Sequence, residues 1–517
     1  MGMGRALAVA LVGLNGHVIE VEADIGQTLP NFILLGLPDA SLNEARERIR
    51  SAAQNSGIPL SRRKITVNLV PASLPKKGSA FDLAIVMAAL NAAGDLRGTG
   101  GTVFIAELGL DGRLRPVRGV LPAVLAALSA GCQEFVVATA NLAEAQLVKG
   151  AKVRGYDNLA QVAFAFDADP KNLRGVGGGW AGGSAKDKAG RAGATKQQQV
   201  DLAEVAGQPV ARVALEIAAA GGHHLMMVGP PGSGKTMLAE RLPGLLPDLS
   251  DAEAMEVTAI HSLDHRGEAL MELVRRPPYE RPHHSASTAA IIGGGSGIPR
   301  PGAATRAHRG VLFLDEAPEF DKRVLDALRQ PLESGELVLH RSAGTASYPA
   351  RFQLVMAANP CPCGKATGKG INCQCTPMAR RRYFGRLSGP LLDRVDIQLQ
   401  VTKVQLSQLA DSQPRESSQQ VAQRVQLARD IAAERLKPWS LVHNADVTGQ
   451  VLRGPLRLGR HDTALLDKAM GTGVLSARGY DRVLRLAWTV ADLQGRERPG
   501  SEDVGLALTL RQRGEIP

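Results

Sequence analysis

No apolar run in the 517-residue sequence approaches the ~20 residues needed to span a bilayer. The N-terminal stretch has no small-residue cleavage site and soon turns polar, so it reads as a folded strand of a cytoplasmic protein rather than a signal or an anchor. Internal repeats are absent, and low-complexity sequence is confined to one segment. Cysteine is scarce. Cys132 stands alone, and the other four of the five fall between Cys361 and Cys375, a local pairing that favours a metal over a disulfide framework. Charge does not dominate either: 44% hydrophobic and 21% charged residues exclude a disordered tail and a coiled coil. The 61 Lys and Arg exceed the 50 Asp and Glu, and the resulting net charge of +11 favours a polyanionic partner without identifying one.

The length allows about three to four domains at roughly 150 residues each. Residues 174–199 contain eight glycines and six charges with no apolar period, and read as a flexible linker. Before it, short apolar runs (Ile65–Val70, Val103–Ile105, Glu134–Ala138) alternate with helical patterns (Ala80–Ala93, Pro122–Ala130), as in a mixed α/β domain. After it, Asp201–Ala220 has helical spacing and His223–Val228 reads as a buried strand. A second boundary falls at Leu406–Ser418, beyond which the chain reads as successive helices. The expected layout is an N-terminal α/β domain over 1–170, a linker over 171–199, a central α/β domain over 200–406 and a helical domain over 407–517.

The expected strand His223–Val228 runs into Gly229, Pro230, Pro231, Gly232, Ser233, Gly234, Lys235 and Thr236, which match G-x-x-x-x-G-K-[ST]. A helix is expected from Lys235. The glycines let backbone N–H groups surround a phosphate at a helix N-terminus, Lys235 brings a point charge, and Thr236 can ligate Mg²⁺, so ATP and Mg²⁺ are the expected cofactors. Val311-Leu-Phe-Leu-Asp315-Glu316 is an apolar strand ending in two carboxylates. Asp315 is placed for Mg²⁺ and Glu316 for polarising water. A third strand, Phe352–Ala358, ends at Asn359, an amide placed to orient the same water.

These three elements resemble an AAA+ ATPase of the additional-strand type. The segments RPHHSASTAAIIGGGSGIPRPG, AHRGVLFLDEAPEF, VLDALRQPLESGE, YPARFQLVMAANPCPCG and SGPLLDR resemble the YifB/ComM family of magnesium-chelatase-like ATPases from about residue 5 to about 513. The residues at 301–308 depart modestly from the family wording. The resemblance implies that Asn359 is sensor I, that Arg394 in Leu391-Leu-Asp-Arg-Val-Asp396 is an arginine finger acting on a neighbouring subunit, and that Arg478 in Ser476-Ala-Arg478 is sensor II. It further implies a ring, a hexamer, with an insert in helix 2 covering the His283–His284 and Gly293–Gly297 region. Packing or nucleotide sensing is the expected role of the two histidines.

Residues 1–170 are similar to a Lon-protease-type domain. Aligned residue by residue, its nucleophilic serine becomes Ala80 and its lysine Ala123, with Ser79, Lys76 and Lys77 nearby, so no protease activity is expected. Arg46, Arg48, Arg50, Arg62, Arg63 and Lys64 could contact a polyanion or form a charged face. Cys361, Cys363, Cys373 and Cys375 have the stoichiometry of a structural Zn²⁺ site; reduced loop thiols and a redox role are the alternatives. Arg380–Arg386 interleaves cations with Tyr383 and Phe384, a pattern suited to phosphate contact and base stacking or to a solvated loop. The function implied is an ATP-driven motor on single-stranded and branched DNA, promoting branch migration in natural transformation. A chelatase-type motor subunit and an ATP-switched regulator without DNA translocation are the alternatives.

Overall fold

The computed structural model of the protein describes residues 2–26, 29, 31–36, 40–60, 64–74, 76, 78–174, 200–264, 270–295, 299–341, 344–366, 373–404 and 415–511. Nearly all of the expected linker, most of the expected boundary at 406–418, the end of the Gly293–Gly297 run, and Arg62, Arg63, Pro75 and Lys77 lie outside them. No helix among the described residues is long and apolar enough to cross a membrane.

The N-terminal part is a seven-stranded mixed sheet in the order Phe32–Leu35, Lys64–Val70, Asn15–Gly26, Gly4–Val12, Thr102–Ile105, Glu134–Ala138, Lys152–Tyr156. The long antiparallel hairpin at its centre alternates buried and exposed residues, and helix Asp82–Ala93 lies across it with nearly every residue buried. The approach is so close that a Cβ on Gly4 would sit 2.1 Å from the Ala88 carbonyl oxygen. On the other face, helix Val120–Ser129 packs against the hairpin and against helix Asp251–Leu263 of the central part. Gly119 N–H donates to Ser262 O at 3.1 Å, and the Ser262 hydroxyl donates to buried Glu144.

The central sheet has five parallel strands in the order Tyr279–Glu280, Val311–Leu314, Gln353–Ala358, Leu225–Val228, Ile397–Gln400. Val311–Leu314 and Gln353–Ala358 are buried throughout, as strands covered on both faces must be. The strand ending at Asn359 lies between the glycine-loop strand and the acidic strand, the additional-strand order expected. The helix expected over 201–220 instead begins at Pro209, after Gly207 and Gln208 in left-handed conformations. Proline suits the first helical turn, where its missing N–H has no partner to lose.

Helices Ser418–Leu436, Arg460–Gly471, Ala477–Leu493 and Ser501–Arg511 form the C-terminal part, the first opened by a capping box between Ser417 and Gln420. One hydrophobic core runs from the central sheet into these helices through Leu215, Leu225, Ile397, Val425, Leu486 and Val490. Within it lies a buried polar network. His223 Nδ1 meets Asp396 Oδ2 at 3.1 Å, His223 Nε2 meets Thr489 Oγ1 at 2.8 Å, and Arg482 Nε reaches Asp396 Oδ1 at 3.2 Å. Asn444 Nδ2 extends the chain to Thr489 and to Asp492 Oδ2, the latter at 2.7 Å. Gly221 leaves the room: a Cβ there would lie 2.2 Å from His223 Nε2.

Burial opposes ionisation of Asp396, yet the hydrogen bond and charge of His223 hold its carboxyl down to about 2. The folded value lies below the ordinary one, so the stability Asp396 supplies is complete above about pH 4 and is lost as the pH falls towards about 2. Asp396→Ala leaves His223 and Arg482 buried without their acceptor, and we expect about 3–5 kcal/mol of destabilisation. Calorimetry should show the central sheet and the helical part melting together at a lower temperature.

Candidate nucleotide site

Gly229–Thr236 joins strand Leu225–Val228 to helix Lys235–Arg241. Gly229 N–H donates to Ala358 O at 3.1 Å, and a Cβ on Gly229 would meet the Val401 carbonyl oxygen at 2.2 Å, so this position admits only glycine. Gly232 and Gly234 have φ of 74° and 89°, left-handed conformations that favour glycine, and the Ser233 N–H between them donates to Pro230 O at 3.3 Å. Lys235 Nζ donates to Gly229 O at 2.7 Å, Pro230 O at 2.9 Å and Asn359 Oδ1 at 3.3 Å. Burial pushes its pKa down, opposed by Asp315 and Glu316.

Thr236 Oγ1 donates to Asp315 Oδ2 at 2.9 Å, so the two expected Mg²⁺ ligands touch. Glu316 follows in a left-handed conformation, φ 53°, unusual for a residue with a Cβ. Its N–H donates to Asp315 Oδ1 at 3.0 Å, and its carboxylate lies 3.4 Å from His284 Nδ1. The backbone donors, the ammonium, the hydroxyl–carboxylate pair and a buried Ser233 Oγ without a hydrogen-bond partner together form a donor set that fits a phosphate chain and Mg²⁺.

The structure adds Arg281, whose contacts the sequence did not disclose. It bridges Asp315 Oδ2 at 2.8 Å and Glu240 Oε1 at 3.0 Å, and its guanidinium lies 5.6 Å from the Phe313 ring centroid. Arg281 and the histidines follow strand Tyr279–Glu280, so parallel pairing brings them to the same sheet edge as Asp315. His283 and His284 face each other at 4.2 Å and point to no common metal ligand set among the described residues. Gly293–Gly294 instead pairs with Arg300–Pro301 in a separate hairpin. A motif search could have flagged RPHH as unusual, but only the topology delivers it to the carboxylates.

Arg394 and Arg478 are not part of this cluster. Arg394 pairs with Glu333 and bonds the Pro390 carbonyl; Arg478 Nη1 lies 3.9 Å from Asp393 Oδ2. Both precede strand Ile397–Gln400 or flank its start, at the amino edge of the parallel sheet. The glycine loop leaves the carboxyl edge, and strands of four to six residues separate the two by roughly 13–20 Å.

Cys361, Cys363, Cys373 and Cys375 converge immediately after Asn359, each offering a sulfur within 4.8 Å of the others. The separations among the first three are 3.3, 3.6 and 3.7 Å. Those are far beyond a bonded ~2.05 Å and close to the ~3.8 Å that tetrahedral zinc with ~2.3 Å Zn–S bonds requires. The backbone N–H of Lys365, then contact with Cys361, holds the Cys363 thiol down to about 6. Burial pushes the Cys361 thiol up, and the Cys375 thiol is also raised, to about 11, so the four sulfurs do not share one protonation preference.

Two expectations need correction. Tyr383 and Phe384 are buried and pack edge to face at 5.3 Å, so they are core residues, unavailable for base stacking; only the arginines around them face outward. Arg48 is likewise turned inward, with Nε 3.0 Å from buried Asp82 Oδ2. In the same domain Lys76 is fully buried and donates to Gly36 O at 3.1 Å and Leu74 O at 3.3 Å, while the Ser79 hydroxyl donates to Glu107. Neither bonds the other; Ala80 lies beside Ser79 and Ala123 is buried in helix Val120–Ser129.

Three family profiles match the chain: "Magnesium chelatase, subunit ChlI" over residues 201–409, "Subunit ChlI of Mg-chelatase" over 21–141, and "Magnesium chelatase, subunit ChlI C-terminal" over 415–511. An uncharacterized protein of Mycobacterium tuberculosis is 50% identical over 99% of both chains. Competence protein ComM of Haemophilus influenzae is 40% identical over 99% of this chain and 98% of its own, and YifB of Escherichia coli is 41% identical over 94% and 92%. With the P-loop, the acidic strand and the intervening Asn359 strand arranged as described, the chain belongs to the YifB/ComM family of magnesium-chelatase-like AAA+ proteins.

Proposed function

We propose that the protein is an ATP-hydrolysing ring motor, a hexamer, that acts on single-stranded and branched DNA in the cytoplasm and promotes branch migration and strand integration. The observation that carries the reading is the division of the site. Lys235, Thr236, Asp315, Glu316 and Asn359 gather at one sheet edge, whereas Arg394 and Arg478 stand at the opposite edge; this supports reading Arg394 as a finger that acts on the site of another copy, with Arg478 as sensor II. The DNA part is supported by the net charge of +11 and by similarity to a protein named for competence.

In this reading Gly229, Pro230, Pro231, Gly232, Ser233 and Gly234 cradle the phosphates of ATP, and Thr236 with Asp315 would hold Mg²⁺, which supplies positive charge to the phosphate oxygens. Lys235 neutralises phosphate charge. Glu316 accepts a proton from the attacking water, Asn359 orients that water, and Arg281 and His284 hold the two carboxylates apart until the site fills. The four cysteines hold a structural Zn²⁺. Residues 1–170 are a Lon-like domain without a catalytic dyad, followed by a linker over 171–199, an ATPase core over 200–406 with a helix-2 insert, and a lid over 407–517.

The matching profiles are described by a chelatase subunit, so a chelatase-type motor, or an ATP switch without translocation, is the second reading. Steady-state ATP hydrolysis with and without single-stranded and branched DNA, with Lys235→Ala as blank, decides between them. Stimulation that vanishes in the blank supports the DNA motor; turnover indifferent to DNA overturns it.

Glu316→Gln should retain ATP binding while turnover falls by about 10²–10⁴, the usual worth of a general base. Arg394→Ala should lose about 10³–10⁵ in turnover with ATP binding intact. Mixed with Lys235→Ala protein, it should regain part of that loss, because alternating subunits then build sites from one intact P-loop and one intact arginine. Absence of rescue in mixed rings would place the arginine's action within one chain.

A further inference from the structure

The four-cysteine loop touches the phosphate loop. Gly364, at the turn of Cys361-Pro-Cys363-Gly-Lys365, has φ of 72°, and a Cβ there would lie 2.7 Å from both Cγ and Cδ of Pro231. Cys361 is buried two residues beyond Asn359, whose side chain accepts from Lys235. At the other end of the loop, Cys375 is followed at once by Thr376, which caps helix Pro377–Phe384. That helix carries buried Tyr383 back to the neighbourhood of the Asn359 backbone. The four sulfurs therefore sit where three strands of contact converge: Pro231 in the P-loop, Asn359 at a strand end, and the helix bearing Tyr383.

We propose that a thiophilic divalent metal, zinc by its ligand set, bound by Cys361, Cys363, Cys373 and Cys375 is the brace that sets the phosphate loop, so that metal occupancy controls nucleotide affinity. This rests on the reading of Gly229–Thr236 as an ATP site. Nine residues separate Cys363 from Cys373, and a cross-link between two such positions lowers the conformational entropy of any chain that joins them. With the metal, the turn at Gly364 is fixed against Pro231, and Asn359 is fixed from both its flanking chain and Tyr383. The metal contributes no chemistry to hydrolysis; it pre-orders the donors that would bind phosphate. Loss of the metal would leave the P-loop sequence intact and its rear wall unsupported.

The test uses the full chain. Metal content is measured on the purified protein, after stripping with a mercurial and chelator under reducing conditions, and after reloading with Zn²⁺. Binding of a fluorescent ATP analogue is titrated in each state, with circular dichroism to follow folding. We expect one metal per chain, a fall in analogue affinity of about tenfold or more on stripping, and recovery on reloading, in line with the cost of displacing a positioned group. Gly364→Val keeps all four cysteines but drives a side chain into Pro231. It should hold its metal and bind the analogue as weakly as the stripped protein. A protein that takes up no metal, nucleotide affinity equal in the loaded and stripped states, or a metal-loaded Gly364→Val with unchanged affinity each overturns the brace. Loaded protein that binds no nucleotide at all overturns the ATPase reading beneath it.

Discussion

Everything at the candidate site depends on the direction of five strands. Because Tyr279–Glu280, Val311–Leu314, Gln353–Ala358, Leu225–Val228 and Ile397–Gln400 all run the same way, every loop leaving a strand emerges at one edge and every loop entering emerges at the other. The glycine loop, Asp315, Asn359 and Arg281 are each the first residues after a strand, so they meet although up to 130 positions separate them in sequence. Asp393, Arg394 and Asp396 come just before a strand and are necessarily remote. In a parallel sheet this separation cannot be repaired by a side chain, since the longest reaches only a fraction of the strand length. Groups at the two edges therefore cannot meet within one copy of the sheet, which is what the proposed division of the site between copies draws on.

The amino edge has its own coupling. Asp396, one residue before the last strand, is bonded by His223, which precedes the first, and by Arg482 from helix Ala477–Leu493. That helix begins at Ser476, so the chain that carries Arg478 is locked to the sheet through one buried carboxylate. Neutral packing would hold the helix as well, and ion pairs removed from water are often a poor source of stability. What the network adds is register. His223, Asp396, Thr489 and Arg482 can satisfy one another in a single placement of the helical part, and that placement puts Arg478 beside Asp393 and Arg394.

How much of this could be read from sequence followed the range of the interactions. The P-loop, the acidic strand and Asn359 were legible because each is a local pattern whose chemistry needs neighbouring residues on one strand or turn. The four cysteines were legible for the same reason. Arg281 was not, since its role comes from a two-residue strand too short to show periodicity. Tyr383 and Phe384 misled because interleaved cations suggest a surface, and only the fold shows that consecutive aromatics at the end of a short helix turn inward while Arg381 and Arg382 remain outside. The start of helix Pro209–Gly221 was missed because apolar spacing persists through Leu202 and Val205, which are buried in the same core but belong to a separate 3₁₀ turn, Leu202–Glu204, and its cap. Gly364 gave no signal at all: its meaning is a distance to Pro231.

On the proposed Lon-like reading of the N-terminal domain, both dyad positions are alanine, Ala80 and Ala123. Two of its cations, Lys76 and Arg48, are directed inward. Lys76 closes on backbone carbonyls, and Arg48 neutralises Asp82, whose carboxyl burial pushes up to about 6 against the guanidinium that pulls it down. Groups spent in this way cannot serve a substrate without unfolding their surroundings. What the domain still offers is a surface, and one such surface is already engaged. Glu144, buried, accepts from Leu121 N–H at 3.2 Å and from the Ser262 hydroxyl, and Ala259 joins the core beneath helix Val120–Ser129. Helix Asp251–Leu263 therefore has the N-terminal domain on one side. From an adjoining face of the helix Glu256 reaches Arg309, at 3.3 Å, and His308 at the entrance to the acidic strand. A load on the N-terminal domain would be felt first along that helix, at the end of the strand opposite Asp315, so the domain is mechanically connected to the sheet while remaining chemically separate from its reactive edge.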